Sequence, residues 1–471
     1  MTGRFFAGFS DGFTVQVGYL CGKSGKEKTI LKKYTMIIRK CKWMLSLAVL
    51  CGAAWAASAQ TPAGEQNPQE SYTIIANPGE KAWKQVRINW HTDQENQDNI
   101  CVYTLASDTD WKRAKTVRAQ SALCTAYDSL FSKKPTGESY FERVRIQRCT
   151  VELDGLKPAT TYMYRVGKAG SDALSETHYF RTAPRSDKWT AGIISDFHSY
   201  LPLPKRLSSA MTMLDTLEAR NGKPFDLMLH IGDVCAWGGS YSFWKRLYEE
   251  PAFVNYMWAG VNGNHDNMDG QGRRLSNEYF RYANNNPQNG YPGEEGVCYY
   301  FLYGKTLFIV LNNETMRTDE GLAAAQQWVR QVIRDNPARY IVVMEHYQWF
   351  FGENGRSSQY GRWKELFDQC GVDLAIGANN HIYARTNALY QDGQTDGTFG
   401  TVYVQLPSSD NERGVEMKDM VYNTDLIEKR WSEGSRTIGA ILMRADNKKL
   451  HLALYDRQGN LVDEVSVLAK R

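Results

Sequence analysis

The chain is 471 residues long, enough for two or three domains that each bury a core. With 42% hydrophobic and 12% aromatic residues it is neither disordered nor membrane-embedded. Its net charge of +4 invites a nucleic-acid reading, yet of 56 basic and 52 acidic residues nine and two lie in residues 1–59, so the remainder holds 47 and 50 and contains no basic domain.

From Met36 the chain reads MIIRKCKW, then the apolar run MLSLAVLCGAAWAA, then Ala57-Ser58-Ala59. A basic region, a short apolar stretch and small residues at a cleavage point are the parts of a secretory signal peptide. The expected protein starts at Met36, is cleaved near Ala59 and is exported to the periplasm or beyond. Residues 1–35 have no recognisable role. The apolar run is too short to span a bilayer comfortably, so no membrane span is expected in the mature chain. Residues 60–70 read as a polar linker.

From 71 to 183 short alternating strands predominate, among them VRINWHT, CTVELDGL and TYMYRVG. Leu156, Pro158, Thr160 and Tyr162 fall in a stretch that resembles a fibronectin type III domain and its tyrosine corner. Seven strands of an all-β sandwich are expected here. After Ala183–Lys188 the texture changes to apolar strands alternating with amphipathic helices, an α/β domain over 187–471. Helices are expected around Ser208–Arg220, Ser242–Glu250, Leu322–Asp335 and Arg362–Cys370. VCYYFLYG and TLFIVLN form a strand pair, and the end of the chain reads as a β-meander.

The residues directly after each α/β strand carry the chemistry. AGIIS leads to Asp196 and His198, FDLMLHI to Asp233, MWAGV to Asn264 and His265, RYIVVM to His346, and DLAIG to Asn379 and His381. The carboxyl ends of strands in such a sheet converge on one crevice. Four of the eight histidines stand at these ends; His91, His178, His230 and His451 are expected to be structural.

The ordered set D-x-H, G-D, G-N-H-D, H and H resembles the calcineurin-type metallophosphoesterases. With the preceding β domain and the run HIYARTN it is similar to the purple acid phosphatases. The resemblance implies a four-layer α/β sandwich after the β domain and two divalent or trivalent ions of iron, manganese or zinc. It places Asp196 and His381 on the first ion, Asp233 between the two, and Asn264 and His346 on the second, with His265 as the acid facing the leaving group. Two cations about 3.5–4 Å apart polarise phosphoryl oxygens and make hydroxide from bound water at neutral pH, and imidazole and carboxylate donors suit those metals. The implied activity is hydrolysis of phosphate monoesters or diesters; a metal-binding pseudoenzyme and a partner- or glycan-binding protein are the alternatives.

Two positions depart from the pattern. Ala236 stands where purple enzymes have a metal-binding tyrosine, and Tyr241 lies too far along to replace it; His198 fills the place as in the wider family. Asn379 stands where the family has a histidine, leaving the second ion a weak amide donor. Arg356 and Tyr360 are candidate substrate contacts, while Tyr383 and Arg385 are expected to pack. Six cysteines come after the leader, open to disulfides or to a life as buried thiols, and with no CxxC spacing for zinc.

Overall fold

The computed structural model describes residues 71–470 except 93–97, 134–138, 171–173, 201–204, 268–296, 313–315, 317, 351–358 and 411–424. The expected signal peptide, the expected linker and Arg356 thus lie outside the described residues.

Among the described residues up to 183, the chain is built of strands alone: β1 (Ser71–Pro78), β2 (Val86–Thr92), β3 (Asn99–Leu105), β4 (Lys115–Arg118), β5 (Gln120–Lys133), β6 (Ser139–Leu153), β7 (Thr161–Lys168) and β8 (His178–Arg181). They form two four-stranded sheets, ordered β1-β2-β6-β5 and β4-β3-β7-β8. There are eight strands rather than seven, and β5 and β6 make one long antiparallel hairpin instead of short strands. The backbone N–H of Lys157 donates to the Tyr162 hydroxyl at 2.9 Å, the upstream bond that a corner tyrosine makes. Asn77 Nδ2 donates to the Trp258 carbonyl at 2.8 Å, stitching β1 to the α/β part.

Among the described residues, five helices and fifteen strands come after this part. In chain order they are β9 (Trp189–Ile194), α1 (Lys205–Asn221), β10 (Leu227–His230), α2 (Tyr241–Leu247), α3 (Pro251–Asn255), β11 (Trp258–Gly260), β12 (Tyr299–Tyr303), β13 (Thr306–Val310), α4 (Asp319–Asp335), β14 (Tyr340–Met344), α5 (Tyr360–Cys370) and β15 (Leu374–Gly377). Then come β16 (Tyr383–Thr386), β17 (Leu389–Tyr390), β18 (Gly393–Gln394), β19 (Val402–Gln405), β20 (Ile427–Trp431), β21 (Gly439–Ala445), β22 (Lys449–Asp456) and β23 (Leu461–Leu468). One sheet runs β11-β10-β9-β21-β22-β23 and the other β12-β13-β14-β15-β19-β16-β20.

Alternation within the strands sets the layers. Phe308, Val310, Val342, Met344, Ile376 and Val404 share a core with Ile193 and Leu229 of the facing sheet. Their neighbours Leu307, Ile309, Ile341, Val343 and Ala375 pack instead on Val329, Trp363 and Phe367 of α4 and α5. Leu207, Ala210, Leu214 and Leu217, spaced three or four apart, join α1 to the outside of the first sheet. The result is helix, sheet, sheet, helix.

Helices α1 and α5 start two or three residues earlier than expected, and two other differences have local reasons. The Thr318 side chain caps α4 by accepting from Gly321 N–H, so the helix starts at Asp319 and not at Leu322. The segment expected as one helix to Glu250 breaks after Leu247, because Pro251 disfavours a helical residue before it and opens α3 as its first residue.

Candidate metal centre

β9, β10, β11, β14 and β15 all end at one place, and the backbone there is held in an unusual conformation. Asp196, His198, Asp233, Asn379 and His381 have φ of 52°, 44°, 50°, 70° and 56°. Non-glycine residues take such angles at a cost, and only where the surrounding structure dictates them. The D-x-H and G-D turns dictate them to each other: Asp196 N–H donates to Gly232 O and His198 N–H to Asp233 O. Glycine is required beside them. A Cβ on Gly232 would come within 2.5 Å of His346 Nδ1, and one on Gly263 within 2.0 Å of Asp233 Oδ1.

The side chains then converge. Asp233 Oδ2 lies 3.2 Å from His198 Nε2 and 3.3 Å from His346 Nε2. Asp196 Oδ1 lies 3.3 Å from His381 Nε2 and 3.9 Å from His346 Nε2. Three sets bring their donor atoms within 4.8 Å of one another: Asp196 with His198 and His381, Asp196 with Asp233 and His346, and His198 with Asp233 and His265. Asp196, His198, Asp233 and His346 are all buried.

Hydrogen-bond direction shows what these atoms await. Nδ1 of His198 donates to the Asp196 carbonyl and Nδ1 of His346 to the Ile231 carbonyl, both at 2.7 Å. In a neutral ring Nε2 then presents a lone pair, yet it faces carboxylate oxygens. Such an arrangement needs a proton or a cation between the atoms. Asp196 Oδ1, His346 Nε2 and Asn264 Oδ1 are buried and make no hydrogen bond. Burial would raise the carboxyls, but the facing imidazoles pull Asp196 below the usual range and Asp233 far below it. Burial would lower His346, but the Asp233 and Asp196 carboxylates hold it up at about 10. The residues fit a divalent or trivalent cation of the imidazole- and carboxylate-binding type.

Residues 72–182 match the family model of the purple acid phosphatase N-terminal domain, and residues 190–383 that of the calcineurin-like phosphoesterases. The chain belongs to the purple acid phosphatase-like metallophosphoesterases. Purple acid phosphatase 15 of Arabidopsis thaliana is 22% identical over 274 residues, 51% of this chain and 49% of that protein. The chain thus matches about half the length of that relative. Purple acid phosphatase 21 of the same plant is 23% identical over 72% of this chain and 77% of its own. The structure of a purple acid phosphatase from yellow lupin (Lupinus luteus) seeds has a TM-score of 0.62 at 16% identity, over 85% of this chain and 75% of that one, a likeness of fold.

Within this metallophosphoesterase site, His265 stands slightly apart. Its Nδ1 donates to the Ala236 carbonyl at 2.8 Å, and its Nε2 lies 4.0 Å from Asp233 Oδ2. Its side chain keeps 21% of its surface exposed. Asn379 is beside Asp196, its N–H 3.4 Å from Oδ2, but its Nδ2 donates to Gln348 Oε1 at 2.6 Å. Tyr241 packs against the N-terminal part, its hydroxyl donating to that of Tyr72 at 3.1 Å.

Away from these candidate donors, Tyr360 is corrected to a packing residue: its hydroxyl donates to Asp392 and its ring lies against Phe350 and Tyr403. Tyr383 and Arg385 pack as expected, both donating to Asp463. None of the six cysteines is in a disulfide, and five of them are buried. A cavity of about 630 Å³ is lined by Tyr72, His178 and Lys245 among others and by none of the site residues.

Sequence reasoning missed three supports. The Asp266 carboxylate accepts from the backbone N–H groups of Val234, Cys235 and Gly263, tying the G-D turn to the G-N-H-D turn. Burial and the nearby Asp233 carboxylate raise its pKa to about 7. Gln348 holds Asn379. Ser408, Ser409 and Asp410, after β19, lie under the D-x-H turn and are fully buried. The local sequence shows only a polar run two residues beyond the end of β19, a strand of the other sheet, and nothing in it points to Asp196.

Proposed function

We propose that this chain is an exported, metal-dependent phosphoester hydrolase with a dinuclear centre. The observation that carries the reading is the set of imidazoles whose Nδ1 atoms are committed to carbonyls while their Nε2 atoms face Asp233 and Asp196. Asp196, His198, Asp233 and His381 would hold the first ion; Asp233, Asn264 and His346 would hold the second, with Asn379 as a weak further donor. Bound cations of this kind polarise phosphoryl oxygens and lower the pKa of water.

The chain's own groups supply the rest. Asp233 is within reach of both donor sets, and its carboxylate would offset the repulsion between two cations held there. Its Oδ1 accepts from His265 N–H at 2.8 Å, which fixes the carboxylate plane and the position of His265 together. The His265 ring, with Nδ1 on a carbonyl and Nε2 outside ligand distance, is suited to hand a proton to the departing oxygen of the ester. The signal sequence before Ala59 supports export, and no described helix is long and apolar enough to cross a membrane.

One observation favours a second reading, a protein that keeps a single ion and binds rather than hydrolyses: the Asn379 amide is held by Gln348. Metal analysis of the purified protein, together with a panel of phosphate monoesters and diesters, decides between them. Two ions with turnover of at least one ester class supports hydrolysis. A single ion and no turnover under metal saturation overturns it.

A further inference from the structure

Ser408-Ser409-Asp410 makes bonds to the D-x-H turn that packing alone does not require. The Ser408 hydroxyl donates to the Asp196 carbonyl at 2.8 Å and accepts from Asp410 N–H at 3.1 Å. Ser409 N–H donates to the Ser195 carbonyl at 2.8 Å. The Ser409 hydroxyl accepts from Ser195 N–H at 3.3 Å and donates to the Gly439 carbonyl at 2.9 Å. Every one of these groups is buried. They bracket the two residues, Asp196 and His198, whose positive φ the turn must hold.

Asp410 adds charge to this clamp. Its carboxylate is fully buried, and its Oδ2 lies 3.6 Å from His198 Nδ1. A buried carboxylate is costly and is kept only where something compensates it. Here the anion lies at the Nδ1 edge of a ring whose Nε2 faces Asp233. Nδ1–H already donates to the Asp196 carbonyl, so negative charge beside it favours that tautomer and enriches Nε2 as an electron-pair donor. Partners of this sort govern how tightly a histidine binds metal.

We propose that Asp410 is a positioning residue for His198, fixing its tautomer and strengthening it as a donor to a divalent cation, with Ser408 and Ser409 holding the turn. The proposal rests on the reading of this centre as a metal site. It assigns Asp410 no contact with substrate.

The test is a double-mutant cycle read by Co²⁺ and Zn²⁺ binding to the full chain. Asp410→Asn keeps the shape and removes the charge, and is expected to weaken the tighter ion by about 10–100-fold. Circular dichroism and thermal unfolding in chelator should stay as in the wild type. In a His198→Ala background the same change should leave affinity within about twofold, because the residue through which Asp410 acts is gone. Equal losses in both backgrounds, or no loss in the first, overturn the proposal. If Asp410→Asn does not fold, Asp410→Glu serves: it retains the carboxylate, and the d–d bands of bound Co²⁺ should shift as the anion moves. Unshifted bands with wild-type affinity count against a role through His198. A wild type that binds neither ion refutes the underlying metal-site reading instead.

Discussion

Replacing His265 with alanine should abolish most turnover while leaving the metal in place. The ring faces the same Asp233 oxygen as His198 and His346, but from 4.0 Å against their 3.2 and 3.3 Å. The extra 0.7–0.8 Å puts Nε2 outside the ring of close donors, and its 21% exposure puts it where a substrate can reach. Proton donation to a leaving group is worth typically about 10²–10⁴ in rate. At 1.36 kcal/mol per decade that is about 2.7–5.4 kcal/mol of barrier. The assay compares kcat of wild type and His265→Ala on 4-nitrophenyl phosphate and on an alkyl phosphate, with metal content measured on the same samples. The loss should be small for nitrophenolate, which leaves without protonation, and near the full range for the alkoxide. Equal losses on the two esters refute the acid role. Loss of an ion together with activity would show that His265 is a ligand, as its grouping with His198 and Asp233 permits.

Gly263→Ala should lose metal affinity and activity together, since its Cβ would stand 2.0 Å from Asp233 Oδ1 and 2.4 Å from Asp233 N; unchanged metal stoichiometry would contradict the geometry. Asn379→His should tighten the weaker ion, measured by calorimetry after dialysis, because it exchanges an amide held by Gln348 for an imidazole; a ring seen on the metal without gain in affinity would count against Asn379 as the weak point. Iron-loaded protein should lack an intense visible band, for Ala236 offers no phenolate and Tyr241 is bonded to Tyr72. His178, in the N-terminal sheets, is held by burial at about 4 against an ordinary 6.5. The unfolded chain therefore takes up the proton first, and stability is lost as pH falls from about 6.5 to about 4, by up to about 3 kcal/mol. His178→Gln should lessen that slope in chemical unfolding curves taken across this range, the buried His230, held at about 3, keeping its own share.

The residues that carry a family pattern were legible because chemistry and topology coincide in them. A carboxylate or imidazole directly after a buried strand announces both the strand end and the crevice. Asp196, Asp233, His346 and His381 could be placed this way, and the structure brings them together. What escaped were groups whose role depends on a neighbour distant in sequence. Nothing local in Ser408-Ser409-Asp410 says that it lies beneath Asp196, and nothing in Gln348 says that it meets Asn379. Tyr360 failed in the opposite direction: a phenol close in sequence to a proposed ligand, His346, is drawn by α5 toward Asp392. Helix ends were misjudged where one residue, Thr318 or Pro251, outweighed the apolar periodicity.

The strand that delivers Asp196 and His198 has a consequence for when the protein becomes active. β9 is flanked by β10 on one side and on the other by β21, paired Ile193 with Ile441 and Ala191 with Met443. The ribosome makes β21 after every proposed ligand has emerged. Until then the D-x-H turn lacks one of its neighbouring strands and the Gly439 carbonyl that anchors Ser409. Pairings across such sequence distance form late and slowly. A growing chain therefore carries all its donor residues without a centre to seize metal, and a truncation that removes residues 439–468 should silence a site none of whose ligands it touches.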